Sequence, residues 1–385
     1  MALPRHSRKY ALTEEQRHMY ASEKLMNFRW ISKILASYSP HTLTSHDFAP
    51  TEVQSYLSEI GQFAEVAYST ISTEFIFENL TLLLEPSFPL EGYESFRDAK
   101  LVSSFIGKVA QLPGYVAYRS HTKQLIVAFS GTVTAMQAFY DVRALKHRHP
   151  SHRGRVHHGF WKLYKGIKAF ALDGVRKGLA EHEVTEFVIT GHSMGATVSQ
   201  LFLLDILRDE NLVSIGSIPL KLVVFGAPRS GTKSLVKYWR ELLVEHRTKY
   251  GKESVCEYSV KTYNDGVPSL PPLSFGYRHY AESPLYFVHG RLYQVPPESS
   301  EYALYHVSPD LEDENDPPEH PRGGHNYYNG RDMEKFARRA IWLDKAMKMD
   351  GDWQEHYRHL SSKERTPKFK TPPIVAFCMP KSMLA

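Results

Sequence analysis

The chain has 385 residues, 42% hydrophobic and 12% aromatic, enough for one large α/β domain with decorations or for two smaller ones. A formal net charge of +5 is only mildly basic. It fits weak attraction to anionic surfaces and does not call for a nucleic-acid partner. Two cysteines, Cys256 and Cys378, can build neither a disulfide framework nor a cysteine-based zinc site.

In chain order, residues 1–20 are charged and lack the continuous apolar core of a signal peptide. Apolar runs such as 81–84 and 374–379 are far too short to span a membrane. These absences lead us to expect a cytoplasmic protein, peripheral at lipid surfaces. Leu25, Phe28, Ile31, Ile34 and Leu35 recur at helical spacing. That stripe either packs on the main domain or, with Lys24, Arg29 and Lys33 beside it, faces lipid. A helix is expected over 60–68, and 75–84 is ambiguous. A strand is expected near 105–110, and a hairpin pairs 115–118 with 125–129 across the polar turn 120–123.

A tract rich in basic residues and histidine follows at 146–153, then an amphipathic helix to about 179. Strands are read at 187–190, 220–225 and 255–263, and a second hairpin at 285–288 and 292–295. Helices are read at 235–246 and 333–347. The stretch 309–324 is acidic and proline-rich. Strands alternating with helices argue for an α/β sheet covered on both faces.

One stretch carries chemistry. The β-branched run 187–190 enters Gly191-His192-Ser193-Met194-Gly195, and a helix-compatible apolar segment leaves it. A serine on such a strand-to-helix turn has its hydroxyl pushed out of the sheet. The amides of the following helix N-terminus lie where an oxyanion forms. The competing reading is a serine that merely caps the helix.

A nucleophilic serine needs a base, an acid to orient it and oxyanion donors. Asp265 lies just past a strand end, where acids sit in such folds, although Asn264-Asp265-Gly266 is also a plain turn signal. Twenty histidines compete for the role of base. His192 neighbours the serine, and its side chain is expected to point away around the turn. His279 and His289 lie in or beside strands and read as structural. His325, in Gly323-Gly324-His325-Asn326-Tyr327-Tyr328, completes the order Ser, Asp, His. His147, His149, His152 and His157 raise a metal reading, but no cysteine or helix-spaced carboxylate accompanies them. A basic surface beside the site mouth, attractive to anionic headgroups, is the preferred reading.

Six motifs in order make the pattern specific: 127–132 (Val-Ala-Phe-Ser-Gly-Thr), 156–160 (Val-His-His-Gly-Phe), 191–195, 225–229 (Phe-Gly-Ala-Pro-Arg), 265–272 (Asp-Gly-Val-Pro with Leu-Pro-Pro), and His325 with Tyr328. Together they resemble the class 3, fungal-type lipases. The resemblance implies an α/β-hydrolase fold, with a central, mostly parallel sheet and helices on both faces. It implies Ser193 as nucleophile, Asp265 as acid, His325 as base, and Thr132 and Met194 as oxyanion donors. It implies no cofactor and no metal. It also implies a lid over 133–145 that opens at a lipid surface, against which stands a permanently packed connector helix. Ser130 stands where the family usually has arginine, and Ala138 or Phe139 where a lid tryptophan is common.

The expected domains are an N-terminal helical extension (1–59), a lipase-like domain (60–347) and a C-terminal tail (348–385). The expected function is a serine ester hydrolase acting on acylglycerols. The alternatives are a soluble carboxylesterase of the feruloyl type, or a lipase-like binding module without activity. Its expected partners are a lipid or small ester substrate and transient contact with a membrane or lipid-droplet surface, with no nucleic acid.

Overall fold

The computed structural model describes residues 10–23, 27–131, 145–311 and 318–364. Among these residues the core is an eight-stranded sheet. Its strands are β1 (Ala99–Ile106), β2 (Pro113–Arg119), β3 (Gln124–Phe129), β4 (Glu186–His192), β5 (Leu220–Phe225), β6 (Val255–Thr262), β7 (Leu285–Val288) and β8 (Arg291–Gln294), and each pairs with its neighbours in chain order. β3 through β7 run parallel. The hairpins β1–β2–β3 at one edge and β7–β8 at the other are antiparallel.

The central strands read as unbroken apolar runs because both faces are buried. On β3, Leu125, Val127 and Phe129 join one cluster while Ile126 and Ala128 join the other. On β5, Leu220, Leu222 and Val224 alternate with Val223 and Phe225 in the same way. This is the two-residue period of a strand. Parallel neighbours need crossovers. Helices His158–Glu181, Met194–Arg208 and Lys233–Tyr250 provide three of the four and contribute to the first cluster, while residues 263–284 make the β6–β7 crossover without an α-helix. Helices Thr51–Val66 and Lys335–Met347 contribute to the second. The expected mostly parallel sheet with helices on both faces is the fold observed, with antiparallel edges. No helix among the described residues is long and apolar enough to cross a membrane.

The ends of the chain share this core. Helix Thr51–Val66 runs through the boundary expected between 59 and 60. Strand Tyr38–Leu43 pairs in parallel with Leu304–Val307. Helix Trp353–Glu364 lies inside the expected tail, and its Tyr357 ring stacks on Phe88 at 5.6 Å. The N-terminal helix is shorter than its apolar spacing predicts. Phe28 takes a left-handed conformation (φ 56°), so the helix spans only Arg29–Leu35. Phe28 and Ile31 are buried while Trp30, Ile34 and Leu35 are exposed. The stripe is thus split between core and solvent, and Leu25 lies outside the described residues.

Candidate active site

Ser193 occupies the turn between β4 and helix Met194–Arg208 with φ 61° and ψ −123°. A positive φ at a non-glycine residue is uncommon and persists only where its surroundings hold it. Here the Ser193 N–H donates to the Phe225 carbonyl at 2.9 Å. The flanking glycines are steric necessities. A Cβ on Gly191 would lie 2.5 Å from the Gly195 carbonyl carbon, and one on Gly195 would lie 2.2 Å from the Phe129 oxygen. Met194 opens the helix, so its amide has no acceptor within that helix.

The turn after β3 abuts the serine. A Cβ on Gly131 would lie 3.0 Å from Ser193 Cβ and 2.8 Å from the His192 oxygen. Ser130, where an arginine is usual, turns its hydroxyl to the Gly131 carbonyl at 2.6 Å. Thr132 and nearly all of the expected lid, 133–144, lie outside the described residues.

Asp265 follows β6 and is fully buried. Its Oδ2 accepts from His325 Nδ1 at 2.9 Å and from the Tyr328 hydroxyl. Its Oδ1 accepts the Val267 N–H at 2.8 Å. An ionised carboxylate only accepts, so this bond assigns the His325 proton to Nδ1 and leaves Nε2 as the basic nitrogen. Nε2 is buried and has no hydrogen-bond partner among the described residues. Gly226, at the end of β5, is what lets this pair come close. Its φ is +60°, and a Cβ there would lie 2.6 Å from the Tyr328 hydroxyl and 2.9 Å from His325 Cε1.

The structure therefore brings Ser193, Asp265 and His325 to one end of the sheet. It also gives work to a histidine that sequence reading set aside. The His192 ring does not point away: its centroid is 4.3 Å from that of His325. Nε2 of His192 donates to the His325 carbonyl at 2.8 Å, and Nδ1 faces the Tyr68 hydroxyl at 2.7 Å. Burial, then the neighbouring His325, push the His192 pKa well below the usual imidazole value. A neutral ring with a proton on Nε2 must accept at Nδ1, so Tyr68 donates. The Tyr68 oxygen also lies against Gly131, where a Cβ would sit 2.1 Å from it. Tyr68 was missed because nothing local marks it: its partners lie 124 residues away.

The remaining histidines have other work. His279 is buried and donates through Nε2 to the Pro268 carbonyl at 2.9 Å, steadying the loop after Asp265. Arg229 holds the same loop through the Pro271 carbonyl at 3.1 Å and is itself paired with Glu301 at 2.8 Å. His147 stacks on Trp161 and His149 bonds Ser151. His157 packs on Phe160 and Tyr277. His289 lies in the β7–β8 turn with φ 50°. Serine, imidazole, buried carboxylate and a helix-end amide are the parts nucleophilic acyl transfer requires.

Comparison with known proteins follows the same line. Residues 126–275 match the model of the class 3 lipase family. The chain is similar to secreted mono- and diacylglycerol lipase 1 of Fusarium solani, 26% identical over 193 residues, or 50% of this chain and 52% of that protein. It is similar to a lipase of Rhizopus niveus, 26% identical over 185 residues, 47% of this chain and 43% of that one. The chain thus spans about half the length of the curated relatives it matches. Among solved structures, a triacylglycerol lipase whose catalytic centre is a serine protease triad superposes with a TM-score of 0.56 at 19% identity, over 75% of this chain and 98% of that one. The lipase of Rhizopus microsporus var. chinensis gives 0.55 at 18% identity, over 77% and 93%. At these identities the likeness is one of fold, the α/β-hydrolase fold of the fungal lipases. One expectation is overturned. Relatives from Fusarium solani and Penicillium cyclopium are named as secreted, which points to the extracellular side rather than the cytoplasm.

Proposed function

We propose that the chain, whose residues 126–275 match the class 3 lipase model, is a serine hydrolase of carboxylic esters acting on acylglycerols. The observation that carries the reading is the state of His325. Its Nδ1 is committed to Asp265, and its Nε2 is buried without a partner beside the serine turn.

In this reading His325 Nε2 takes the Ser193 proton as the hydroxyl attacks the acyl carbon. The Met194 amide, together with Thr132, holds the oxyanion. Protonated His325 then gives its proton to the leaving alcohol. Water, activated by the same imidazole, releases the fatty acid from Ser193. Asp265 keeps the proton on Nδ1 throughout and stabilises the transient imidazolium. Every step uses groups of this chain, and no cofactor is called on.

The acylglycerol preference rests on the relatives named as mono- and diacylglycerol lipases. The test is hydrolysis of mono-, di- and triacylglycerols beside short p-nitrophenyl esters, with Ser193→Ala as control. Acylglycerol turnover that disappears in the variant supports the reading. Turnover of water-soluble esters alone would favour a soluble esterase, and activity persisting in Ser193→Ala would remove the serine from the mechanism. Contact with a lipid surface belongs to the same reading, and is tested by co-sedimentation with acylglycerol emulsion droplets.

A further inference from the structure

The segment ahead of the first long helix crosses the loop that carries the base. The Tyr20 hydroxyl accepts the Arg322 N–H at 2.9 Å. The Asn27 carbonyl accepts the His325 N–H at 2.7 Å. Arg29 donates to the Gly323 carbonyl at 3.0 Å, and Glu23 accepts from the Tyr327 hydroxyl at 2.7 Å. Glu23 and Arg29 close the segment on itself with an ion pair at 3.1 Å, mostly shielded from water. The Phe28 ring meets the imidazole of His325 edge to face, with centroids 5.4 Å apart.

A second observation is independent of these bonds. The residue after Asp265 and the residue before His325 are both glycines, and the N-terminal segment fills the space their missing side chains leave. A Cβ on Gly266 would lie 2.4 Å from Ile31 Cβ and 2.6 Å from the Ser32 nitrogen. A Cβ on Gly324 would lie 2.9 Å from Arg29 Cγ and 3.3 Å from Asn27 Cβ. The acid loop, the base loop and the segment are thus fitted to one another. Phe28 holds a left-handed conformation that a non-glycine residue rarely adopts and that surrounding contacts must sustain.

We propose that Tyr20, Glu23, Asn27, Phe28 and Arg29 form a strap that positions His325, with the Glu23–Arg29 pair as its clamp. The proposal rests on the hydrolase reading above and deepens it. His325 is then fixed through both of its peptide groups: the strap holds the N–H, and His192 holds the carbonyl. Such fixation matters because a displacement of about 1 Å at a reacting group costs on the order of a hundredfold in rate. The strap residues are positioning residues, since they act through the base.

The test uses the full chain, a soluble p-nitrophenyl butyrate assay and a p-nitrophenyl phosphonate that labels the serine once. Loosening the clamp in Arg29→Ala is expected to lower kcat and the phosphonylation rate constant about tenfold, with KM within about twofold. Arg29→Lys still reaches the Gly323 carbonyl and is expected to recover a substantial part of the loss. If Arg29→Ala does not fold, Glu23→Gln removes the clamp charge at nearly constant shape, and a loss of about threefold or more is expected. Unchanged labelling in the variant that folds would overturn the strap. Faster labelling would overturn it too, because the segment would then be a cover rather than a support. A wild-type chain that the phosphonate does not label fails the hydrolase reading itself, which separates the two ideas.

Discussion

The Tyr68 hydroxyl donates to Nδ1 of His192 across 2.7 Å, joining the turn after β3 to the loop that carries His325. The same oxygen lies against Gly131, where a Cβ would sit 2.1 Å from it, and the other nitrogen of His192 holds the His325 carbonyl. One phenol therefore registers the turn that leads to Thr132 against the base. Tyr68→Phe keeps the ring and removes the bond to His192. It is expected to lower kcat about tenfold with little change in KM, and to cost about 1–2 kcal/mol of stability. Steady-state kinetics with a soluble ester, read beside urea unfolding, checks both. Unchanged kcat in a destabilised variant would reduce Tyr68 to a packing role.

Asp265 is acceptor to His325, Tyr328 and the Val267 amide at once. Asp265→Asn offers one acceptor and one unwanted donor in a fully buried site. Where the amide donates to Nδ1, the His325 proton moves to Nε2, and the ring no longer accepts from Ser193. A fall in kcat of about 10⁴-fold is expected, with labelling by the phosphonate slowed in proportion. A loss below about tenfold would mean that another group orients the imidazole.

Ser193 sits at φ 61°, where glycine is at ease and serine is not. Ser193→Gly is expected to abolish turnover and to raise stability by about 1 kcal/mol, by relieving backbone strain. Thermal unfolding of the two proteins side by side measures this. A less stable variant would show that the serine hydroxyl contributes more to the fold than its backbone costs.

Buried histidines set the acid limit of the fold. Burial lowers His149, His157 and His289 to about 4, and drives His192 and His279 well below the usual 6.5. Between those values the unfolded chain binds more protons than the folded one. The stability is therefore fully present above pH 6.5 and is lost as pH falls from there through about 4. Unfolding midpoints in urea from pH 7.5 to pH 4, a range set to bracket about these values, are expected to decline from near pH 6.5 downward. A flat profile to pH 5 would contradict neutral buried rings.

Beneath the sheet, Glu65 on helix Thr51–Val66 is fully buried and accepts from Arg331 at 2.6 Å and from the Tyr93 hydroxyl. Arg331→Ala strands the carboxylate and is expected to cost about 3–5 kcal/mol. Replacing both partners by apolar residues, Glu65→Leu with Arg331→Met, is expected to restore most of that loss. Urea unfolding of the single and double variants decides it. Equal losses in both would assign the cost to packing rather than to the unpaired charge.

The sequence by itself determined what depends on short spacing. Apolar runs bounded by turns predicted β3, β4, β5 and β6, because a strand buried on both faces needs unbroken hydrophobic side chains. The Gly191–Gly195 turn was legible because its glycines are demanded by contacts within five residues of each other and with the neighbouring strand. Asp265 and His325 were singled out by their loops, their order and the resemblance to the class 3 lipases, and the fold joins them by a hydrogen bond. Tertiary structure alone decided the rest. The same spacing that marks 25–35 as amphipathic does not say that Phe28 breaks the helix to reach His325, nor that Asn27 would take its N–H. His192 was misjudged because its ring orientation depends on Tyr68 and on the His325 carbonyl, 124 and 133 residues distant. A hydrogen bond between groups that far apart leaves no periodicity in the chain, only a polar residue whose partner the fold supplies.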